Sequence, residues 1–329
     1  MQRKLWVFSA VVLALAIGVF VPAAAQGDFT PEQQAALDDV RAAFLNFVGL
    51  NSYTADVIQD TDQDMTISMM GQSLRMVQTI SADGTVLLAR VEGAEYPNQS
   101  TTLNQTISQE LTGMGQEQTT DLGPMVFDMI IADDRVYMQV GLPPEMAGYA
   151  PEGWQDVTDG AEIFPGMGAY DINQMLDLGG SALEAEFVNT LLDAATDIEV
   201  LPEGAAFDVP TTRYRLTLDT RQAFESLGLA DLSAMFNAEE MPFDIPAMIE
   251  LIYTDEDTRY VLELVVGVDD QMLYEYTQIM HLDILIGADM MTDPTLAGAE
   301  MTLAQQVTTT LRPVGFDEPV TITAPELAQ

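Results

Sequence analysis

Residues 65–80 read MTISMMGQSLRMVQTI, and their period decides the fold. Met65, Ile67 and Met69 alternate with Thr66, Ser68 and Met70; Leu74, Met76 and Ile80 alternate with Arg75, Val77 and Thr79. A period of two puts alternate side chains on opposite faces of a strand, and an apolar set opposed to a polar one marks a single buried face. Sheets of that kind are mostly antiparallel. The pattern runs from Tyr53 to about Val140, where Phe127, Met129 and Ile131 oppose Asp128, and Val136, Met138 and Val140 oppose Arg135, Tyr137 and Gln139. Asp60 to Asp64, Asp83-Gly84 and Asp133-Asp134 read as acidic turns, and Gln116 to Pro124 as a polar loop.

Helical signals flank this region. Thr30, Pro31 and Gln33 form a capping box with proline at the first helical position, and Ala36, Leu37, Val40, Phe44, Phe47 and Val48 follow at helical spacing, with Gly49 as the stop. Ser181 and Glu184 form a second box before Leu183, Phe187, Val188, Leu191 and Leu192, and Pro202 and Gly204 end that segment. Strand alternation resumes at Tyr214, Leu216 and Leu218, and Asp219 caps a short helix carrying Phe224 and Leu227. It continues through Tyr260, Leu262, Leu264, Val266 and Val268, then Met272, Tyr274, Tyr276, Met280, Leu282 and Ile284. Val307, Thr309 and Leu311 read as a late strand, and Val320 and Ile322 as a last one. The expected fold is α+β: a curved, mostly antiparallel sheet with helices packed on one face. One domain over residues 26–329 is the first reading; two sub-domains meeting near residues 160–205 are the other.

Several segments resemble the LolA/LppX-like family. They are Leu50-Asn51-Ser52-Tyr53-Thr54-Ala55 opening the meander, Arg135-Val136-Tyr137-Met138 before Pro151-Glu152-Gly153-Trp154-Gln155-Asp156-Val157, and Thr212 to Asp219 leading into a helix. The ending, Phe316 to Pro325, is also similar. The resemblance implies an open half-barrel whose concave face is covered by helices, with room between them for acyl chains. Many members of that family are lipoproteins, and this chain has no cysteine to carry such an anchor.

Arg3 and Lys4, the apolar run Leu5 to Val21, and Pro22-Ala23-Ala24-Ala25 describe a secretory signal peptide with Ala23 and Ala25 at an A-x-A site. An uncleaved membrane anchor is the alternative for this run. The expected place of work is the periplasm or the exterior, with no stable membrane anchor after cleavage. Beyond residue 25 the chain holds all 52 acidic residues, nine arginines and no lysine, a formal charge of −43. Such a balance excludes nucleic acid, whose binding needs Lys or Arg at phosphates, and disfavours anionic lipid surfaces.

Catalytic signatures are weak. The lone His281 shares a strand face with Glu275, Thr277 and Asp283, and one histidine without cysteine does not make a usual zinc site. Asp60-Thr61-Asp62-Gln63-Asp64 starts like a calcium loop but has Met65 at the glycine position and Gly71 at the position of the bidentate glutamate. No cofactor is expected. The reading is a non-enzymatic protein that shelters an apolar small molecule or lipid between sheet and helices. Its expected lining is Phe44, Phe47, Phe187, Leu191, Tyr214, Leu216, Tyr260, Leu262, Leu264, Tyr274, Tyr276 and Met280. Rival readings are an interaction module with a filled core and a hydrolase with a carboxylate site.

Two outcomes follow. Amino-terminal sequencing of exported protein gives Gln26 first; an intact Met1 in the membrane fraction contradicts cleavage. Sodium chloride raises the thermal midpoint, because at −43 formal charge repulsion opposes the compact state and salt screens it over about 8 Å at physiological strength. A flat or falling midpoint across a salt series contradicts this.

Overall fold

The computed structural model describes residues 29–329 except 70, 93, 95–96, 114–115, 145–150, 159–184, 203–208, 227–243, 255–256, 292–297 and 328–329. The segment expected to be a signal peptide, residues 1–25, therefore lies outside the described residues, as does the second capping box at Ser181 and Glu184.

The chain opens with α1 (Pro31–Val48). Thr30 accepts from the Gln33 amide while the Gln33 side chain accepts from the Thr30 amide, so two of the orphan donors at the helix start are satisfied reciprocally. At the other end the Arg90 guanidinium donates to the Leu50 and Val48 carbonyls at 3.0 and 2.6 Å, which satisfies the last turn and ties it to the sheet.

Six strands follow in a meander: β1 (Ser52–Met69), β2 (Gln72–Ala89), β3 (Asn98–Gly113), β4 (Gln116–Ala132), β5 (Arg135–Gly141) and β6 (Gln155–Asp156). After α2 (Ala185–Asp193) come β7 (Ala195–Leu201), β8 (Thr211–Leu218), α3 (Thr220–Ser226), α4 (Ile245–Thr254), β9 (Arg259–Gly267), β10 (Leu273–Ile286) and β11 (Glu300–Phe316). All eleven strands form one sheet in the order β6-β5-β4-β3-β2-β1-β11-β10-β9-β8-β7. Each half is a sequential antiparallel meander, and β1 against β11 joins the two.

This corrects the expected α+β half-barrel with helices over a concave face. The molecule is dominated by a single eleven-stranded antiparallel sheet. The four α-helices among the described residues pack mainly on one another and on β7, β9 and β10, so they serve one end of the sheet. The sheet outgrows them because its central strands are long. β1 and β2 have 18 residues each, about 60 Å at 3.3 Å per residue. No helix among the described residues is long and apolar enough to cross a membrane.

Strand length also corrects the turns. Asp60 to Asp64 lies inside β1 and Asp83-Gly84 inside β2; only Asp133-Asp134 is a turn, with φ 56° at both residues. The acidic residues sit in strands because they occupy the outward face and find partners across it. Asp60 accepts from Ser81 at 2.7 Å, Asp62 from Thr79 at 3.1 Å and Asp64 from Arg75 at 2.9 Å. That guanidinium holds the Asp64 carboxyl below the usual carboxylate range. The polar stretch from Gln116 to Pro124 is the first half of β4, paired to β3 through Leu122 opposite Ile107. Val320 and Ile322 form no strand. β7 and α4 were not legible in the periodicity.

Gly84 is there for close approach. A Cβ at that position would lie 1.9 Å from the Thr102 carbonyl oxygen on β3. Gly84→Ala forces the two backbones apart and is expected to cost about 1–3 kcal/mol, as overpacking does. Urea unfolding measures it; an unchanged midpoint refutes the close approach.

Candidate functional site

Most of the residues expected to line a ligand come together. Phe44 and Phe47 on α1, Leu191 on α2, Tyr214 and Leu216 on β8, Tyr260, Leu262 and Leu264 on β9, and Met280 on β10 are all buried in one hydrophobic cluster. Tyr276 is half-buried and packs against that cluster, edge-on to Phe44 with ring centroids 5.5 Å apart. Leu216, Leu262 and Leu264 are fully enclosed. Phe187 lies on α2, but its side chain is outside the described residues. Tyr274 stands apart, because a bulge between Leu273 and Glu275 turns it toward the β9–β10 turn, where its hydroxyl donates to Asp270 at 2.8 Å.

The inward face does not end with this cluster. On β3 and β4, Leu103 lies opposite Phe127 and Ile107 opposite Leu122. All four are only half-buried, and none belongs to a buried cluster among the described residues. Beside them runs a feature absent from the sequence expectations. Gln78 on β2 lies opposite Gln63 on β1, which lies opposite Gln305 on β11. They are 2, 3 and 1 % exposed. Both amide atoms of Gln63 and of Gln305, Oε1 of Gln78, Nε2 of Gln59 and Oγ1 of Thr61 are buried without a hydrogen-bond partner among the described residues. Gln109, opposite Gln78 on β3, donates to the Met76 thioether, a weak acceptor. An unsatisfied buried polar group costs about 1–3 kcal/mol, and five such atoms fall in this one row, with Thr61 and Gln59 further along β1. The signal was present in the sequence: Gln78 breaks the apolar phase set by Leu74, Met76 and Ile80.

The outward face carries a depression of about 400 Å³ lined by Asp257, Arg259, Val261, Ile279, His281 and Asp283. His281 is half-buried and directly opposite Arg259 on β9. No group of three His, Asp or Glu side chains placed to hold a metal occurs among the described residues.

The buried phenols are held neutral. Burial pushes Tyr53 up to about 12, against the pull of the Arg90 charge. Burial and the Asp39 carboxylate, which accepts the Tyr214 hydroxyl at 3.2 Å, push Tyr214 up to about 12. Burial likewise raises Tyr260 and Tyr276. An unfolded tyrosine ionises near pH 10. The stability these groups contribute is therefore complete below pH 10 and is lost as pH climbs toward 12, since the unfolded chain releases its protons first. Tyrosinate absorbance and circular dichroism recorded together check this. These phenols ionise only as the sheet signal collapses; ionisation near pH 10 with the sheet intact contradicts it.

No family model matches the chain, and no curated protein matches it, so the LolA/LppX resemblance rests on the quoted segments. Among solved structures, a DUF1329 family protein from Desulfovibrio piger is 10% identical, covers 84% of this chain and 92% of its own, and has a TM-score of 0.22. Lipovitellin, described for its lipid–protein interactions, is 10% identical over 84% of this chain and 26% of its own, with a TM-score of 0.29. The translocator domain of the autotransporter NalP from Neisseria meningitidis is 8% identical over 84% and 97%, with a TM-score of 0.23. Likeness at this level assigns neither a fold family nor a ligand.

Proposed function

We propose that this protein is a non-enzymatic binding protein that works outside the cytoplasm and holds an apolar ligand, a lipid, against the inward face of its sheet. One observation carries the reading. The apolar inward face continues past the helix-packed cluster onto β3 and β4, where Leu103, Ile107, Leu122 and Phe127 keep part of their surface exposed. Apolar side chains left partly open on one sheet face offer an apolar molecule a place to pack. Transfer of a lipid chain onto it gains about 0.8 kcal/mol per buried methylene. The outward face carries Asp56, Asp60, Asp62 and Asp64 along β1, and its exposed apolar side chains, Ile58, Leu285 and Val314, stand apart from one another on β1, β10 and β11. The leader supports the compartment.

The uncharged apolar dye N-phenyl-1-naphthylamine tests the reading on the chain from residue 26 onward. Wild type binds it saturably, and an organic extract of natively purified protein contains lipid. Ile107→Glu places a charge on the proposed surface and weakens dye binding at least tenfold. Leu285→Glu, at a residue 55% exposed on the outward face, leaves it unchanged. Absence of both saturable binding and extracted lipid overturns the carrier reading in favour of an interaction module.

A further inference from the structure

The row of buried amides gives the ligand a chemical class. Gln78, Gln63 and Gln305 stand side by side on three adjacent strands, at the strand spacing of about 4.8 Å. The next row on the same face is Leu122, Ile107, Ile80, Thr61, Val307 and Met280; it is buried from Ile80 to Met280 and half-buried at Ile107 and Leu122, beside Gln109, the neighbour of Gln78 on β3. The unpartnered atoms of the glutamine row are of both kinds. Nε2 of Gln63 and Gln305 need acceptors; Oε1 of Gln63, Gln78 and Gln305 need donors.

No inward position of β1 from Tyr53 to Met69, of β2 from Leu74 to Leu88, or of β11 from Met301 to Leu311 holds a charged residue. A phosphate or a carboxylate brought here would be buried without a counter-charge, at a cost far above that of a neutral group. The whole chain, strongly acidic, adds to that penalty for an anion. A matching guest is uncharged, offers several carbonyl acceptors at one end, offers a hydroxyl donor beside them, and is otherwise apolar.

We propose, resting on the carrier reading above, that the Gln63–Gln78–Gln305 row is the head-group site for an uncharged ester lipid of the diacylglycerol type. Ester carbonyls accept from the Nε2 groups, the free hydroxyl donates to an Oε1, and the acyl chains lie along Ile107 and Leu122. The amides select the head group; the apolar rows hold the chains.

Dioleoylglycerol with ¹³C-labelled ester carbonyls is the probe, with oleate and N-phenyl-1-naphthylamine as comparisons. Wild-type protein binds the glyceride at least tenfold more tightly than oleate, and its ester carbonyl band shifts to lower frequency relative to hydrocarbon solvent. In the Gln63→Leu/Gln305→Leu double variant, glyceride affinity falls at least tenfold while dye affinity is kept. The ligand-free double variant melts no lower than wild type, because replacing unpartnered amides by apolar side chains of similar size removes a cost and breaks no bond. Should the double variant fail to fold, the wild-type carbonyl band decides alone. An ester band left at its position in hydrocarbon solvent overturns the proposal. So do equal binding of the glyceride by wild type and the double variant, and preference for oleate. If wild type binds the dye but not the glyceride, this proposal falls and the carrier reading stands. If it binds neither, both fall.

Discussion

The pairing of β1 with β11 is the constraint on which the rest of the structure depends. It runs from Tyr53 opposite Phe316 to Ser68 opposite Glu300 and unites the first strand of one meander with the last strand of the other. Everything else in the sheet is sequential. Without this ladder the two halves would each present a long unpaired edge, an invitation to pair with other chains. Asp317 secures one end by accepting from the Asn51 amide at 2.7 Å, and the Ser52 hydroxyl donates to the Glu318 carbonyl at 2.6 Å. Closing so long a loop costs entropy that grows only slowly with its length, but the contact is non-local and belongs to the slow part of folding.

Register along that ladder also creates the interior chemistry. In a sheet the side-chain period is two, so a slip of one residue would send every inward group outward. The observed register places Gln63 between Gln78 and Gln305, and Thr61 between Ile80 and Val307. It also sets Asp60, Asp62 and Asp64 beside hydroxyl and guanidinium partners on the outward face. One alignment thus disperses acidic charge on one side and gathers neutral amides on the other. The helices pack mainly at the β7–β10 end, in one cluster with Tyr214, Leu216 and Leu264, and Phe47 of α1 also stacks on Tyr53 of β1. The sheet therefore has a filled end at β7–β10, while apolar side chains on β3 and β4 keep some exposure.

Much of the candidate site was legible as pattern. The alternation around Met65 and Met76 and around Leu262 and Leu264 identified the faces, and the helical spacing of Phe44 and Phe47 identified the stripe that packs on them. The extent of the strands was not legible. Asp-rich and Gly-containing stretches read as turns because those residues favour turns on average. In β1 and β2 the outward hydrogen bonds and the close β2–β3 approach at Gly84 override that preference. Gln116 to Pro124 misled for the same reason, since its polarity reflects an exposed strand face.

By itself the sequence determined the period, hence the two faces, the antiparallel character of the pairing, the capped first helix and the acidic exterior. These are local properties, carried by residues within a few positions of one another. The tertiary structure alone decided that the first strand would join the last, Tyr53 opposite Phe316, that the helices would pack mainly at one end of the sheet, and that three glutamines from distant segments would meet in a line. Such facts depend on register between segments, and register is set by the summed pairing of whole strands, which no window of sequence contains.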